Sequence, residues 1–407
     1  MSVGPLAGVR VVEISSSLGS YAGRLFADLG AEVIMVEDAV APMSRTRGLT
    51  VGAGLSAKFL FSNAGKLSVT VNSWPAAELL ELLESASILI TSDGPGALSS
   101  RGLSPKLLRN RYPHLVHLAV SPFGQDGPWA ERPATDLTLL AAGGLLLLAG
   151  DPGRYPVRAA GEQSAIATGL HAAVGGLIAL LVAEESGDGQ TVDVSAQEAI
   201  AHSLENAAQF VDLEGVVRSR VGGTPREAGT GLFACADGLI YLVAGLGGYP
   251  LGWSGLVAWI GADGSADALE QLRSDRWQDP AWRKTDEAIR TFRDLFVKFS
   301  KDKFKKELYE SGQSYGVSVS PVSTPTDLLE NVHLASRDFF VTVEVDGEAV
   351  SVPGSPYRFR GLDVRPRSAP SPLGKDTKTL LDAARLQTSS ATLLDAARLQ
   401  TSSAALS

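Results

Sequence analysis

The side chains whose type and position could do chemistry in this sequence stand at the ends of apolar runs. They are Ser15-Ser16-Ser17, Lys66, Ser92-Asp93, Arg101, the turn around Gly124, and Glu162, three residues ahead of Ala165. The serine turn holds one glycine, Gly19, where a dinucleotide-binding turn needs the G-x-G-x-x-G spacing, so nicotinamide and flavin are disfavoured. The serines either cap the next helix or meet a ligand. A carboxylate such as Glu162 can act as a covalent nucleophile. Its alternative role is structural, exposed to solvent or favouring a helix N-terminus through the macrodipole. Five scattered histidines (His114, His117, His171, His202, His333) have no zinc spacing, and one cysteine, Cys235, allows no internal disulfide. No metal site is expected, and a reducing compartment fits.

The elements that position these groups follow from periodicity. Val9 to Ile14 is a β run, Tyr21 to Leu29 a helix and Glu32 to Glu37 a second strand, which make a βαβ unit. Strands follow at Leu67 to Asn72, Ile88 to Thr91 and Leu115 to Ser121, and Leu137 to Gly150 reads as a buried helix. The longest apolar run, Ser164 to Ala183, carries no charge and repeats small residues, the pattern of a helix buried on most sides. Its length approaches a bilayer span, but His171, Ser164, Thr168 and three glycines argue against a membrane helix. Ser186 to Gly189 is a glycine turn, Gln190 to Val194 a strand, and Ser195 caps a long helix from Ala196 to Leu213. Gly231 to Val243 reads as a hairpin around Asp237-Gly238 that opens a smaller domain. Helices are expected at Trp253 to Gly261, Asp279 to Phe299 and Asp302 to Ser311; Lys301, Lys303, Lys305 and Lys306 read as a solvated face.

The chain has 407 residues, 44% hydrophobic content and a formal net charge of -9. That length suits two domains or one large α/β domain with an insertion, and the negative charge argues against nucleic acid. No basic segment followed by an apolar run opens the chain, so a cytoplasmic protein is expected. At the other end, Thr379 to Ala391 is repeated without change from Thr392 to Ala404. Two identical copies indicate a recent duplication or an artefact rather than a solenoid, with the second copy poorly ordered or a surface extension.

GLHAAVGGLIALL (Gly169 to Leu181) and GDGQTVDVSAQEAI (Gly187 to Ile200) resemble the centre of the class III coenzyme A transferases, which include formyl-CoA transferase, carnitine CoA-transferase and 2-methylacyl-CoA racemase. Pro5 to Glu37 is similar to the family's opening, Asn63 to Asn72 to its N-x-x-K element, Phe123 to Pro128 to its F-G-x-x-G-P loop, and Pro353 to Pro356 to its P-G-x-P return. Val221 to Pro225 falls loosely where the family has a mobile glycine loop. The resemblance implies a Rossmann-like α/β large domain, 1–220 and 331–378, a smaller α+β domain, 221–330, and a duplicated tail, 379–407. It also implies two chains interlocked as a dimer.

In the family's mechanism an aspartate attacks an acyl-CoA thioester, gives a mixed anhydride, and is recaptured as an aspartyl thioester before an acceptor carboxylate takes the coenzyme. The matching position, four residues before Gly169, holds Ala165. The family's coenzyme-binding N-(F/Y)-(R/K)-P-G turn reads here Ser92-Asp93-Gly94-Pro95-Gly96, and Asp38 stands where formyl-CoA transferase has a basic residue. Both acids would repel a polyphosphate, by roughly 1 kcal/mol or more at short range. The positions expected to touch coenzyme A or acyl-CoA, bound as substrate, are Ser16, Ser17, Lys66, Ser92, Arg101 and Gly124. The racemase branch's acid/base histidine is replaced by Thr135, which with Ala165 removes both proton carriers that racemisation needs. What remains is a chain without its own nucleophile. Either a paralogous subunit supplies the aspartate in a heterodimer or heterotetramer, as in the two-subunit transferase acting on succinyl-CoA and benzylsuccinate, or Glu162 substitutes for it. A non-catalytic acyl-CoA-binding or assembly protein is the third reading.

Overall fold

The structure, a computed structural model, describes residues 4–14, 17–39, 45–204, 207–223, 225–264, 270–362, 364 and 368–386. The chain forms two compact units: 1–146, 158–217 and 332–407 make the first, and 147–157 with 218–331 make the second. Residues 147–157, read from sequence as part of the first domain, cluster with the second unit.

The first unit is built on a six-stranded sheet. Its strands are β1 (Arg10–Ile14), β2 (Glu32–Asp38), β3 (Leu67–Val71), β4 (Ile88–Thr91), β5 (Val116–Ser121) and β6 (Thr191–Ser195). They lie in the order β3-β2-β1-β4-β5-β6, and every neighbouring pair is parallel. A sheet covered on both faces needs unbroken apolar strands, and β4 and β5 are buried at every position. From β1 the chain runs through α1 (Ser20–Asp28) to β2 and β3, then crosses back to β4 on the other side of β1. That reversal opens a crevice at the carboxyl ends of β1 and β4, where ligands bind in open α/β sheets.

Further helices are α2 (Ala57–Asn63), α3 (Ala77–Leu83), α4 (Pro105–Arg111), α5 (Asp136–Ala142), α6 (Gln163–Ser186) and α7 (Ala196–His202). The central helix α6 ends where Gly187 turns left-handed at φ +82°, as the glycine turn predicts. Its small residues let it approach α1 at backbone distance: a Cβ at Gly169 would lie 2.9 Å from Tyr21 Cβ and 3.0 Å from the Ala22 nitrogen. By length and composition α6 could cross a membrane, but Ala172, Ala173, Gly176 and Ala179 are buried inside the unit. Leu170, Val174, Ile178 and Leu181, spaced by four, four and three residues, are exposed along another face.

Two helices expected to be long are broken. The run from Leu137 to Gly150 stops at Gly143-Gly144, Gly144 having φ +88°, and resumes for one turn at Leu145–Leu148. The helix expected from Ala196 to Leu213 is α7 and then a separate helix, Ala207–Glu214; Glu205 and Asn206 lie outside the described residues. Ser195 does cap α7, accepting a hydrogen bond from the Glu198 nitrogen at 3.3 Å.

The second unit packs a three-stranded antiparallel sheet, β7 (Thr230–Cys235), β8 (Gly238–Val243) and β9 (Ser318–Pro321), against helices including α8 (Trp253–Ala262), α9 (Asp286–Ser300) and α10 (Lys305–Ser314). The hairpin pairs Cys235 with Gly238, as expected. The region from Asp279 to Phe299 is divided, because Thr285 caps α9 by accepting from the Ala288 nitrogen at 3.2 Å. The core is aromatic, centred on Trp253, Trp259, Trp277, Phe292 and Phe296. Within it the fully buried Arg283 donates to the carbonyls of Ala228 at 2.5 Å and Ala244 at 2.9 Å, with its guanidinium 4.2 Å from the Trp253 ring centre. Of the lysines read as a solvated face, Lys305 is buried and bonds Asp327 at 2.5 Å, while Lys303 pairs with Asp263 at 2.8 Å.

The described part of the first copy of the repeated tail, 379–386, belongs to the first unit. Residues 377–386 are helical, Leu380, Leu381 and Ala384 are buried, and Arg385 pairs with Glu81 on α3 at 2.9 Å. The second copy lies outside the described residues.

Candidate active site

The amino end of α6 is organised by a carboxylate that sequence reasoning passed over. Asp136, the first residue of α5, accepts from the Ser164 nitrogen at 3.0 Å and from its hydroxyl at 2.8 Å, and so caps α6 from outside the helix. Thr135, at the racemase-histidine position, caps α5 by accepting from the Thr138 nitrogen at 3.4 Å. The signal was present in the sequence, since Thr135-Asp136 followed by an apolar run marks a helix start.

Ala165 lies in the first turn of α6, half-buried, with a methyl group that can neither accept a proton nor attack a thioester. Glu162 is the residue preceding α6; its side chain makes no capping bond and forms an ion pair with Lys58 on α2. Glu162 and Lys58 face a cleft of about 330 Å³ that is also lined by Ser17, Arg47, Ser62 and Asn63. Of the pair Ser16 and Ser17, the second is exposed at this cleft, and Ser16 lies outside the described residues.

Lys66 does not face a ligand. It is 1% exposed, and its ammonium donates to Glu13 Oε2 at 2.6 Å, the Ser20 carbonyl at 2.7 Å and Asn63 Oδ1 at 2.8 Å. All three of its protons are committed, so it cannot reach a polyphosphate. Burial raises the Glu13 carboxyl above its ordinary range and lowers the Lys66 ammonium, each opposed by the charge of the other.

At the carboxyl end of β4 the charge reading also changes. Asp93 is gripped by both terminal nitrogens of Arg101, whose guanidinium lies 5.1 Å from the Trp74 ring centre. The expected repulsion of phosphate by Asp93 is therefore offset, and Arg101, expected to bind coenzyme, is held by that acid instead. Ser92 stands beside the start of α1. A Cβ on Gly19 would fall 2.2 Å from its hydroxyl oxygen, which is buried and has no hydrogen-bond partner among the described residues. Gly124 takes φ +88°, and its loop is held by Asp193 Oδ2, which accepts from the Gln125 nitrogen at 2.8 Å. Gln125 Nε2 in turn donates to the Asp93 carbonyl at 3.0 Å, tying this loop to the β4 turn. A larger cavity, about 640 Å³, lies within the second unit beside Gly222, Gly223, Arg226 and Lys284 and contains none of these candidates.

A sequence profile of CoA-transferase family III matches residues 6–377, which span the sheet and α6. The chain belongs to CoA-transferase family III. It is 41% identical over 383 residues to subunit BbsE of succinyl-CoA:(R)-benzylsuccinate CoA-transferase from Thauera aromatica, covering 91% of this chain and 92% of that subunit. It is 27% identical to the alpha subunit of succinyl-CoA–L-malate CoA-transferase from Chloroflexus aurantiacus, over 93% and 88% of the two chains. Among solved structures, a CaiB/BaiF-family protein from Brucella suis superposes with a TM-score of 0.82 at 25% identity, covering 94% of this chain and all of that one. The fold and the transferase class are thereby those of this family.

Proposed function

We propose that this chain is the subunit lacking the nucleophile in a heteromeric class III CoA-transferase. The enzyme would move coenzyme A between an acyl-CoA such as succinyl-CoA and a carboxylic acid, with a paralogous chain supplying the aspartate. The observation that carries the reading is Ala165, a methyl group at the head of an otherwise well-formed α6. The relatives support it, since two with high coverage are themselves named as subunits. A second chain is also favoured by the exposed stripe Leu170, Val174, Ile178 and Leu181, which a monomer would leave in water, and we take the assembly to be interlocked. In this reading acyl-CoA is a substrate of the assembly; Ser17, exposed at the cleft, is the group of this chain best placed to touch it. The protein would work in the cytoplasm.

Catalysis by Glu162 is disfavoured because its carboxylate lies in an ion pair with the Lys58 ammonium, which must open before the carboxylate could attack a thioester. Trapping separates the readings. Incubation with succinyl-CoA and hydroxylamine should leave Glu162 unmodified, and Glu162→Gln should not abolish transfer by the assembly. A hydroxamate on Glu162, or loss of turnover in that variant, would favour a homodimeric enzyme using Glu162. A purely non-enzymatic acyl-CoA-binding or assembly role would be favoured if this chain copurified with no transferase activity in any combination.

A further inference from the structure

The cleft at the head of α6 holds a charge arrangement that the nucleophile question leaves unused. Lys58 projects from the first turn of α2 and meets the Glu162 carboxylate across the cleft. The two side chains are 53% and 36% exposed, so solvent reaches the contact and the pair can open. Arg47 lines the same cleft, and its guanidinium makes no hydrogen bond or ion pair among the described residues. Ser17 and Ser62 add hydroxyls, and Phe59 adds an apolar wall. The lining charges are therefore Arg47 and Lys58 against Glu162, one positive charge in excess.

We infer that this cleft is a carboxylate-binding site for a small organic acid, and that Glu162 is its internal occupant, resting on Lys58 where the ligand's carboxylate would sit. The chemistry is that of a carboxylate accepting from an ammonium, with the unpaired guanidinium of Arg47 available to a second acidic or polar group. Its volume, about 330 Å³, is at the small end of the roughly 300–1,000 Å³ of ligand pockets, and suits a short acid rather than a whole coenzyme. A ligand must wait for the Lys58–Glu162 contact to open, so the closed fraction weakens its apparent affinity in proportion. That the acid is one the transferase handles rests on the proposed function; the self-occupied cleft does not.

Succinate is the probe, titrated calorimetrically into the full-length chain, with thermal unfolding confirming that each variant is folded. Glu162→Gln should bind succinate at least fivefold more tightly than the unaltered chain. Adding Lys58→Met to Glu162→Gln should abolish that gain, and Glu184→Gln, which removes an exposed acid outside the cleft, should give none, so the two together separate a site built on Lys58 from a general effect of removing one negative charge. Equal affinity in the unaltered chain and Glu162→Gln, or a gain that survives Lys58→Met, overturns the inference. CoA transfer by the complete assembly is measured in parallel. Succinate binding without transfer counts against the subunit reading alone, and transfer without succinate binding counts against the cleft alone.

Discussion

Replacing Lys66 by methionine separates the two roles that this lysine has been given. In the fold its ammonium sits among Glu13, the Ser20 carbonyl and Asn63, at 2.6 to 2.8 Å, with no access to solvent. Methionine keeps the length of the side chain but leaves Glu13 as a buried carboxylate without its counter-charge, and one of its oxygens, Oε1, already has no hydrogen-bond partner among the described residues. Breaking one side of a buried ion pair costs about 3–5 kcal/mol, whereas replacing both partners by apolar side chains is often close to neutral. Lys66→Met should therefore destabilise the first unit by about 3–5 kcal/mol, and Glu13→Leu/Lys66→Met should recover most of that loss. The assay is guanidinium unfolding followed by far-UV circular dichroism. Trp253, Trp259, Trp277 and Trp282 give a fluorescence control, since four of the six tryptophans lie in the second unit and should report an unchanged transition. Unchanged stability in Lys66→Met, together with a tenfold or greater loss of coenzyme affinity, would refute the argument and return Lys66 to the binding site.

Ala165→Asp alone should fold and give little or no CoA transfer as a homodimer, measured between succinyl-CoA and a panel of carboxylates. The α6 N-terminus would favour the new carboxylate by only about 0.3–1 kcal/mol, while Lys66 and Arg101 remain committed elsewhere. Asp93→Asn should release Arg101 and strengthen coenzyme A binding about fivefold, the equivalent of a partly exposed ion pair worth about 1 kcal/mol, as read by calorimetry. His117 is buried against the Thr91 hydroxyl at 2.9 Å, and burial pushes its pKa down to about 4. Its neutral form is kept in the fold, so the unfolded chain takes up the proton first, and stability falls as pH drops from about 6.5 towards 4. At pH 5 the loss should be about 2 kcal/mol, and His117→Asn should show a correspondingly smaller fall between pH 7 and 5 in urea unfolding.

What the sequence showed plainly was local. Periodicity located β1, α1 and β2 to within a residue or two, and the charge-free run ending in a glycine turn marked α6, because these signals lie within one or two helical turns of the residues they describe. The candidate site depended on pairings across the chain. Lys66 finds Glu13 fifty-three residues away, so a lysine beside a strand read as ligand-facing when it is a core ion pair. Asp93 finds Arg101 only because a short helical turn folds eight residues back on themselves, which changed an expected repulsion into a satisfied pair. Lys58, which holds Glu162, carried no signal beyond being a lone basic residue on an apolar helix. The repeat drew attention from the amphipathic spacing of Leu380, Leu381 and Ala384, which docks the first copy onto the large unit.

The central claim is that this chain completes a transferase without supplying its nucleophile. It is tested most directly by purifying the chain from its native source under mild conditions, determining the composition of the complex by native mass spectrometry, and assaying CoA exchange between succinyl-CoA and carboxylic acids. The account predicts a complex with a second class III chain that carries an aspartate at the head of its long central helix, with exchange dependent on that aspartate. A homodimer of this chain that transfers coenzyme A unaided would contradict it.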